Sequence, residues 1–563
     1  MSVYATDRAA PERLVITGFM GTGKTRAGAI IAHRLGLPFL DLDRLVETTH
    51  GEPVAAIFSV SGEAGFRAIE RDAVRWAAGL RRVVMATGGG TFLDPANRRD
   101  LAARSLVVTL TAAPEFIAAR LAGSAGAGGR PLLAGGDVLS RISALLAARQ
   151  TVYAASDLTL DTGGLSLDEV AGRVVDWALK AGLKSCPQAT ATDSRAGAPF
   201  TIKAPTYDVV VGGDLGDLPD FISGLARQAV FTIADAHTAA LFGDRVAVDA
   251  VVPAGEATKC FGQVEALHAA MARAGLGRDG LVVALGGGVV GDLAGFAAAT
   301  FMRGIPVVQV PTTLLAQVDS AIGGKTAVNV GGLKNLAGAF HEPAGVFAAV
   351  RPLLCLPDAE FRQGLVEAVK TGLACDPRLL DLLESEAGAL LHREPGPLAR
   401  LTAACARAKV GVVAGDPRET GDRRRLNLGH TVGHAVEATG IATEGPSRGG
   451  PSHGDPSHGD AVAFGLIAAM TLAVRAGLAP RAGLERLLRL YRDLGLTLVP
   501  GREAFARLDR TEFVRRLAAD KKNRGGELRM VLPREPGVVD LGCPVSPDEI
   551  LRACEETSRS EVG

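Results

Sequence analysis

The chain has 563 residues, of which 47% are hydrophobic, so it is long enough for several domains with cores of their own. It carries 61 basic and 61 acidic residues, and this balance argues against a protein that binds nucleic acid or an anionic membrane through a general basic field. No apolar run is long enough for a transmembrane helix, no signal-peptide pattern begins the chain, and the seven cysteines form no CxxC pair. We therefore expect a cytoplasmic protein with reduced thiols.

The N-terminal part of the chain alternates short apolar runs with helical patterns. We interpret the apolar runs at residues 14–17, 83–86 and 106–110 as buried strands, with helices between them. This alternation predicts an α/β domain with a parallel sheet over residues 1–184. Residues 185–204 are small, polar and proline-containing without any periodicity, so we expect a linker there.

A phosphate-binding pattern follows the first apolar run. Residues 18–25 read GFMGTGKT and match GxxxxGK[ST] at a strand-to-helix transition. In such a loop Gly21, Thr22 and Gly23 wrap backbone N–H groups around a phosphate. Lys24 is expected to reach the terminal phosphates, and the Thr25 hydroxyl is expected to hold Mg²⁺. The pattern predicts binding of a nucleoside triphosphate.

Further motifs follow the phosphate loop in the order FLDLD, GEAGFRAIE, GGG, RPLL and AARQTVYAAS. Together they resemble shikimate kinase over about residues 12–180. The resemblance implies ATP with Mg²⁺ and a set of substrate residues: Asp43 for the hydroxyls of shikimate, Arg67 and Arg149 for its carboxylate, Gly88, Gly89 and Gly90 for close approach of the backbone to its ring, and Arg130 in a mobile lid over the phosphates.

The residue types in these motifs fit such a substrate. Forked guanidinium groups suit a carboxylate, and a carboxylate acceptor suits hydroxyl groups. Lys24, Asp43 and Arg130 are the candidate catalytic residues of this half. The alternative is another small-molecule P-loop kinase, against which the FR, GGG and RPLL motifs argue.

A second α/β pattern begins after the linker. The runs YDVVVG, AVFTIAD, LVVALGGG and PVVQVPTT are interpreted as strands of a Rossmann-like domain over residues 205–350. Gly286, Gly287 and Gly288 lie between such a strand and a helical pattern, which suits the pyrophosphate of a dinucleotide. Residues 351–563 are rich in Ala, Leu and Arg with few strand signals, so we expect a mostly helical domain.

Candidate metal ligands lie in this helical part. His430 and His434 are one helical turn apart, Glu367 lies in LVEAVK, and His458 lies in SHGDAVAFG. One carboxylate and two imidazoles would leave Zn²⁺ an open coordination position, as in catalytic sites. The repeat PSHGD-PSHGD offers two histidines, and we assign the metal to His458 because AVAFG, a helix start, follows only that copy. We expect His453 to be a solvated residue of a loop insertion.

The motifs GGGVVGDLAGF, RGIPVVQVPTTLLAQVDSAIGGKTAVN, LVEAVK, LNLGHTVGHAVE, HGDAVAFG and DKK resemble 3-dehydroquinate synthase over about residues 205–555. The resemblance implies Zn²⁺ or Co²⁺ on Glu367, His430 and His458. It implies NAD⁺ on Asp235, Glu256, Lys259, Gly286, Gly287, Gly288, Asp292, Thr312, Thr313, Lys325 and Lys334. It implies catalytic or substrate-binding roles for Arg303, Asp319, Lys325, Lys334, Asn335, Lys370, Lys409, Arg423, Asn427, His434 and one or both of Lys521 and Lys522. His237 stands where the family usually has Asn near the adenosine.

The two resemblances predict a bifunctional enzyme of aromatic amino acid biosynthesis. One half would phosphorylate shikimate, and the other would convert 3-deoxy-D-arabino-heptulosonate 7-phosphate to 3-dehydroquinate and phosphate. The synthase half is expected to form a homodimer, by resemblance only. Two alternatives remain: the second half is a metal-dependent polyol dehydrogenase, or one half is a non-catalytic module.

Overall fold

The structure is a computed structural model that describes residues 10–122, 137–185, 199–225, 229–439, 457–518 and 528–560. These residues divide into two compact units, the first containing residues 10–185 and 235–247 and the second containing the rest. Over the described ranges, no helix is long and apolar enough to cross a membrane.

The first unit is built on a five-stranded sheet in the order β2-β3-β1-β4-β5. Its strands are β1 Arg13–Gly18, β2 Phe39–Asp41, β3 Val84–Ala86, β4 Ser105–Thr111 and β5 Leu158–Asp161. Every pairing in this sheet is parallel, with Leu14 opposite Val84 on one side and Leu106 on the other. Both of the sheet's faces are covered, since Leu14, Val15 and Ile16 are fully buried. The predicted parallel α/β architecture is confirmed.

Helices connect these strands. They are α1 Lys24–Leu35, α2 Leu42–His50, α3 Val54–Ala77, α4 Pro95–Ala102, α5 Pro114–Ala122, α6 Val138–Ala154 and α7 Leu167–Lys180. Helix α1 follows Gly23, whose φ of 93° is left-handed and favours glycine. Helix α2 follows Asp41, whose carboxylate accepts hydrogen bonds from the N–H groups of Asp43 and Arg44. The last residues of β1 and β2 therefore lead directly into the predicted phosphate and substrate residues.

The second unit contains a seven-stranded sheet in the order β6-β7-β14-β11-β10-β8-β9. Its strands are β6 Phe200–Lys203, β7 Asp208–Val211, β8 Val230–Asp235, β9 Ala250–Val252, β10 Leu281–Gly286, β11 Val307–Pro311 and β14 Gly345–Ala348. Strands β7, β14, β11, β10 and β8 pair in parallel, and β6 is antiparallel at one edge. Its helices are α8 Leu218–Ser223, α10 Phe261–Arg273 and α11 Gly288–Thr300, whereas α9 Ala236–Phe242 belongs to the first unit. A Rossmann-like sheet is thus confirmed.

Two hairpins add to this unit. The first comprises β12 Lys325–Val330 and β13 Leu333–Phe340, and the second comprises β15 Arg529–Glu535 and β16 Val538–Pro544. The first hairpin is irregular, because its register shifts between Val328 and Val330. That irregularity places Asn329 outside the ladder.

The helical part follows β14, as predicted. Its helices are α12 Asp358–Ala374, α13 Arg378–Ser385, α14 Ala387–Leu391, α15 Pro395–Gly415, α16 His430–Ala438, α17 His458–Arg475, α18 Arg481–Asp493, α19 Arg502–Ala506, α20 Arg510–Ala518 and α21 Pro547–Ser558. Helices α16 and α17 approach closely because glycines line their contact. A Cβ on Gly465 would overlap the carbonyl of Gly429, and one on Gly433 would lie 3.1 Å from the Ala461 oxygen. This approach brings together the first turns of the two helices.

Candidate active sites

The phosphate loop joins β1 to α1. Its Thr22 hydroxyl and its buried Lys24 ammonium donate hydrogen bonds to the Phe19 carbonyl, at 2.8 and 2.9 Å. The Thr25 hydroxyl donates to Asp41 Oδ2 at 2.6 Å. Gly21 and Gly23 have left-handed φ values of 81° and 93°. This backbone turn fits a phosphate, because left-handed glycines can point successive N–H groups at one anion.

The glycine triplet after β3 brings the predicted shikimate residues together. A Cβ on Gly88 would lie 2.6 Å from Asp43 Oδ1, and a Cβ on Gly90 would collide with the Arg67 guanidinium. The Arg149 guanidinium donates to the Gly89 carbonyl at 3.2 Å. One acceptor and two guanidinium groups thus surround the same three glycines. Such a set suits a hydroxylated carboxylate.

Two residues without a predicted role support this arrangement. Glu70 is 2% exposed and accepts hydrogen bonds from Arg67 Nη1 at 2.7 Å and from Thr91 Oγ1 at 2.6 Å. Tyr153 donates to the Gly89 carbonyl at 2.7 Å. The sequence spacing indicates both residues, because Glu70 is one helical turn from Arg67 and Tyr153 is one turn from Arg149.

The pKa of Asp43 is raised to about 6. The protein packed around the carboxyl is the main cause, Asp41 adds like charge, and Lys24 acts in the opposite direction. The Asp43 side chain nevertheless remains exposed to solvent. A carboxylate with such a pKa can accept a proton from a bound hydroxyl near neutral pH. Arg130, the predicted lid residue, lies outside the described residues.

In the second unit, the predicted metal ligands meet. Glu367 Oε1 lies 3.8 Å from His430 Nε2 and 3.7 Å from His458 Nε2. The three ligand atoms all lie within 4.8 Å of one another. Two ligands at about 2.1 Å from a tetrahedral ion are separated by about 3.4 Å, so the spacing is close to that of a metal site.

The chemistry of these donors also fits a metal ion. Glu367 is 1% exposed, and its Oε1 has no hydrogen-bond partner among the described residues. A buried carboxylate oxygen without a partner is costly unless a cation binds it. One carboxylate oxygen and two imidazole nitrogens suit Zn²⁺ or Co²⁺. The ring of His434 lies 5.4 Å from that of His430 and 6.1 Å from that of His458, beside these ligands.

Glu437 had no predicted role, yet it contacts this site. Its Oε2 lies 3.4 Å from His458 Nδ1, and its Oε1 lies 2.5 Å from Lys334 Nζ. Burial would raise the pKa of Glu437, but His458 and Lys334 outweigh burial and lower it to about 2. Burial would lower the pKa of His458, but the carboxylates of Glu367 and Glu437 outweigh burial and raise it to about 9. The strongly negative surroundings favour a cation. Glu437 continues the helical spacing of His430 and His434, and this spacing is the feature of the sequence that indicates its place beside the metal ligands.

A cluster of buried charges adjoins the metal ligands. Lys370 Nζ lies 2.9 Å from Asp319 Oδ2 and 2.5 Å from Glu367 Oε2. Lys409 pairs with the Asp319 carboxylate and donates to its backbone carbonyl at 2.6 Å. Burial would raise the pKa of Asp319, but the two ammonium groups hold it well below its usual range. Burial lowers the pKa of Lys409. Fixed opposite charges at this density are typical of active sites.

Arg423, Asn427 and Lys325 also lie in this unit. Arg423 is 2% exposed, and its guanidinium donates to the carbonyls of Pro417 and Gly323 at 2.6 and 2.9 Å. Asn427 Nδ2 donates to Glu419 at 2.5 Å, and Lys325 pairs with the same carboxylate. Glu419 is a second acidic residue that the motifs did not indicate, and its φ of 57° is unusual for a glutamate.

Several of the predicted NAD⁺ residues lie at or near the turn from β10 to α11. Gly287 caps α11 without a side-chain hydrogen bond, and the Thr312 N–H donates to the Gly286 carbonyl at 2.9 Å. Lys259 is 4% exposed and lies 2.8 Å from Asp292 Oδ2. Burial raises the pKa of Asp292, against the effect of Lys259. Uncapped N–H groups at a helix start fit a pyrophosphate.

The remaining predicted residues of this half lie in separate segments of the sequence. A Cβ on Gly287 would lie 3.1 Å from the Thr313 side chain, and one on Gly288 would lie 3.0 Å from Ser320 Oγ. The Asp235 carboxylate, at the end of β8, accepts a hydrogen bond from the Thr238 N–H at 2.8 Å. Arg303 ends a short 3-10 helix with φ 72° and is exposed, without side-chain hydrogen bonds to other described residues, so its substrate role stays a prediction. Lys521, Lys522 and His453 lie outside the described residues.

Comparisons with known proteins cover both halves. The family model described as shikimate kinase matches residues 20–179. The models described as 3-dehydroquinate synthase N-terminal and C-terminal match residues 249–363 and 364–523.

Similar curated proteins and solved structures relate to the second half. The 3-dehydroquinate synthase of Symbiobacterium thermophilum is 45% identical over 345 residues, which are 59% of this chain and 91% of that protein. That of Halorhodospira halophila is 41% identical over 339 residues, with the same coverage. The 2-epi-5-epi-valiolone synthase ValA from Streptomyces hygroscopicus, with NAD⁺ and Zn²⁺ bound, has a TM-score of 0.55 at 29% identity and matches over 64% of this chain and 98% of its own. A 2-deoxy-scyllo-inosose synthase complexed with carbaglucose-6-phosphate, NAD⁺ and Co²⁺ has a TM-score of 0.54 at 27% identity and matches over 64% and 100%.

Proposed function

This chain belongs to the 3-dehydroquinate synthase family and carries a shikimate kinase domain ahead of the synthase, and from that premise we propose which two reactions it catalyses. The first is ATP-dependent phosphorylation of shikimate to 3-phosphoshikimate. The second is conversion of 3-deoxy-D-arabino-heptulosonate 7-phosphate to 3-dehydroquinate and phosphate. Both reactions belong to the shikimate pathway, but they are not consecutive in it.

In the kinase half, one set of residues binds the phosphates of ATP and another binds shikimate, which accepts the phosphoryl group. Lys24 and the loop N–H groups bind the phosphates of ATP, and the Thr25 hydroxyl holds Mg²⁺, which when bound neutralises phosphate charge. Arg67 and Arg149 orient the shikimate carboxylate. Asp43 accepts a hydrogen bond from the reacting hydroxyl and can take its proton. Positioning and charge neutralisation are the main contributions that a kinase makes to such a transfer.

In the synthase half, Glu367, His430 and His458 would hold Zn²⁺, and the loop from β10 to α11 would hold NAD⁺. When bound, Zn²⁺ polarises a substrate oxygen and NAD⁺ accepts and returns a hydride. Lys325, Lys370, Lys409 and Arg423 attract the phosphate and carboxylate of the substrate. Asp319 keeps the two buried ammonium groups in fixed positions, and His434, which lies beside the ligands, would transfer a proton of the substrate.

The single observation that carries the synthase proposal is the buried Glu367 carboxylate. One of its oxygens faces two imidazole nitrogens, and the other lies 2.5 Å from Lys370, which also pairs with Asp319. Glu367 therefore belongs both to the metal ligands and to the charged cluster that we assign to substrate binding. A purely structural ion pair would not leave Oε1 without a hydrogen-bond partner.

Single substitutions on the full chain test the two proposals separately. Lys24→Met is expected to abolish formation of 3-phosphoshikimate while leaving synthase activity intact. His430→Ala is expected to abolish formation of 3-dehydroquinate while leaving kinase activity intact. Wild-type protein that phosphorylates another hydroxy acid but not shikimate would contradict the kinase proposal.

The same assay tests two other activities for the second half, those of a polyol dehydrogenase and of a cyclase that acts on another sugar phosphate. A polyol dehydrogenase would accumulate reduced cofactor with a polyol, whereas the synthase returns the hydride and shows no net change in absorbance at the wavelength of NADH. Glucose 6-phosphate tests for a cyclase of a different sugar phosphate. Turnover of either compound in preference to the heptulosonate phosphate would contradict the proposed reaction.

A further inference from the structure

Asn329 occupies the irregular position of the first hairpin. Val328 pairs with Ala337 and Val330 pairs with Leu333, so Asn329 has no partner in the ladder between β12 and β13. Its N–H is therefore available outside the hairpin and donates to the Lys259 carbonyl at 2.8 Å. Bulges of this kind redirect a side chain and are common beside active sites.

The Asn329 side chain joins two segments that lie far apart in the sequence. Its Nδ2 donates to Glu256 Oε1 at 2.8 Å, and its Oδ1 accepts from the Asn335 N–H at 2.9 Å. Glu256 belongs to the predicted NAD⁺ residues, whereas Asn335 belongs to the predicted substrate residues. A single amide thus uses its donor on one group and its acceptor on the other.

Lys259 closes a ring of contacts around Asn329. Its Nζ donates to Asn335 Oδ1 at 2.6 Å and to Asp292 Oδ2 at 2.8 Å. Asn335 itself has a left-handed φ of 52°, a conformation that costs free energy unless its surroundings hold it. The start of β13, which carries Lys334 and Asn335, is therefore held by residues that also contact the predicted NAD⁺ residues Glu256 and Asp292.

We propose that Asn329 is a positioning residue that couples binding of NAD⁺ to binding of the sugar-acid phosphate. The inference rests on the proposed synthase function. Ordering of the Glu256–Lys259 segment by the cofactor also orders the start of β13, at Lys334 and Asn335, through Asn329, so the second ligand meets a segment that is already in place. Such coupling is reciprocal: each ligand tightens the other by the same factor.

The experiment measures the NAD⁺ dissociation constant of the full, metal-loaded chain by calorimetry. Titrations are made with and without an unreactive substrate analogue that lacks the hydroxyl to be oxidised. In the wild type, the analogue is expected to tighten NAD⁺ by at least about fivefold, the lower end of usual allosteric coupling. In Asn329→Ala the ratio of the NAD⁺ dissociation constants without and with the analogue is expected to fall below about two.

A double variant that reverses the direction of the hydrogen bond between Asn329 and Glu256 is expected to restore the coupling. Asn329→Asp places a second carboxylate against Glu256 and should remove the coupling, whereas Asn329→Asp combined with Glu256→Gln restores one donor and one acceptor and should recover it. Glu256→Gln alone corrects for any direct effect on NAD⁺. Leu333→Ala, an exposed side chain on the same hairpin, is the control, and bound Zn²⁺ reports whether the synthase unit of each variant has folded.

The outcomes separate the two levels of the hypothesis. Wild-type protein that binds no NAD⁺ would overturn the proposed synthase function and this inference with it. NAD⁺ binding with coupling that Asn329→Ala leaves unchanged would overturn the inference alone. The inference would also be overturned if the analogue left the NAD⁺ dissociation constant of the wild type unchanged. A double variant that fails to recover the coupling would overturn it as well.

Discussion

At the scale of single residues, Asp43 gives the kinase a defined pH dependence. Its pKa of about 6 in the free protein lies above the ordinary value of 3.8, so the carboxyl gains its proton as the pH falls through 6. Because the proposed reaction needs the carboxylate, we expect kcat/KM for shikimate to fall tenfold per pH unit below about pH 6. A pH–rate profile of the full chain measures this.

The control for that profile is Asp43→Asn, which should lose nearly all kinase activity at every pH. A profile that is flat from pH 5 to pH 8 in the wild type would contradict the assigned role, because the carboxyl titrates within that interval. Synthase activity of the variant reports that the rest of the chain is intact.

Glu437 is expected to strengthen metal binding through His458. A carboxylate that accepts from the second nitrogen of a ligating imidazole fixes the ring and raises its basicity, and its loss weakens metal affinity by about 10–100-fold. Glu437→Gln should show this loss when the protein competes with a chelator for Zn²⁺. Glu485→Gln, an exposed glutamate paired with Arg481, is the matched control. Equal affinities in the two variants would show that Glu437 has only a structural role.

At the scale of elements, the contact between α16 and α17 decides whether the metal ligands meet. Gly465→Ala would place a Cβ onto the Gly429 carbonyl, which directly precedes His430. We expect a loss of about 1–3 kcal/mol in the free energy of unfolding, as in other overpacked interiors, and weaker Zn²⁺ binding. Denaturant unfolding and the chelator competition measure the two effects.

Gly411→Ala in helix α15 is the control for this prediction. Nothing lies within 4 Å of a Cβ at that position, so alanine should leave metal binding unchanged and stabilise the helix slightly. Normal Zn²⁺ affinity in Gly465→Ala would contradict the conclusion that close glycine packing aligns the ligands.

The elements also show what the sequence could and could not predict. The phosphate loop, the glycine triplet and the histidine pair are encoded by local spacing, so both sheets and most candidate site residues could be identified. Glu419 could not, since its partner Lys325 lies 94 residues away. Asn329 depends on a bulge that no pattern of hydrophobic residues reveals. The substrate role of Arg303 stays a prediction, because its exposed side chain makes no hydrogen bond to other described residues.

At the scale of the whole molecule, assembly stays a prediction from family resemblance. We propose that the chain forms a homodimer through its synthase half in the cytoplasm. Light scattering on the purified full chain should give twice the monomer mass of 58.0 kDa, and the kinase substitution Lys24→Met should leave that mass unchanged. A monomeric mass at micromolar concentration would contradict the proposal.

The central claim is that one chain carries two catalytic centres with different metal requirements. A dual assay on one preparation of the full chain tests it: both activities are measured before and after treatment with a strong chelator, with Mg²⁺ then restored. We predict that 3-dehydroquinate formation is lost and returns only with Zn²⁺ or Co²⁺, whereas 3-phosphoshikimate formation recovers fully with Mg²⁺ alone. Synthase activity that survives the chelator, or kinase activity that fails to return with Mg²⁺, would contradict the account.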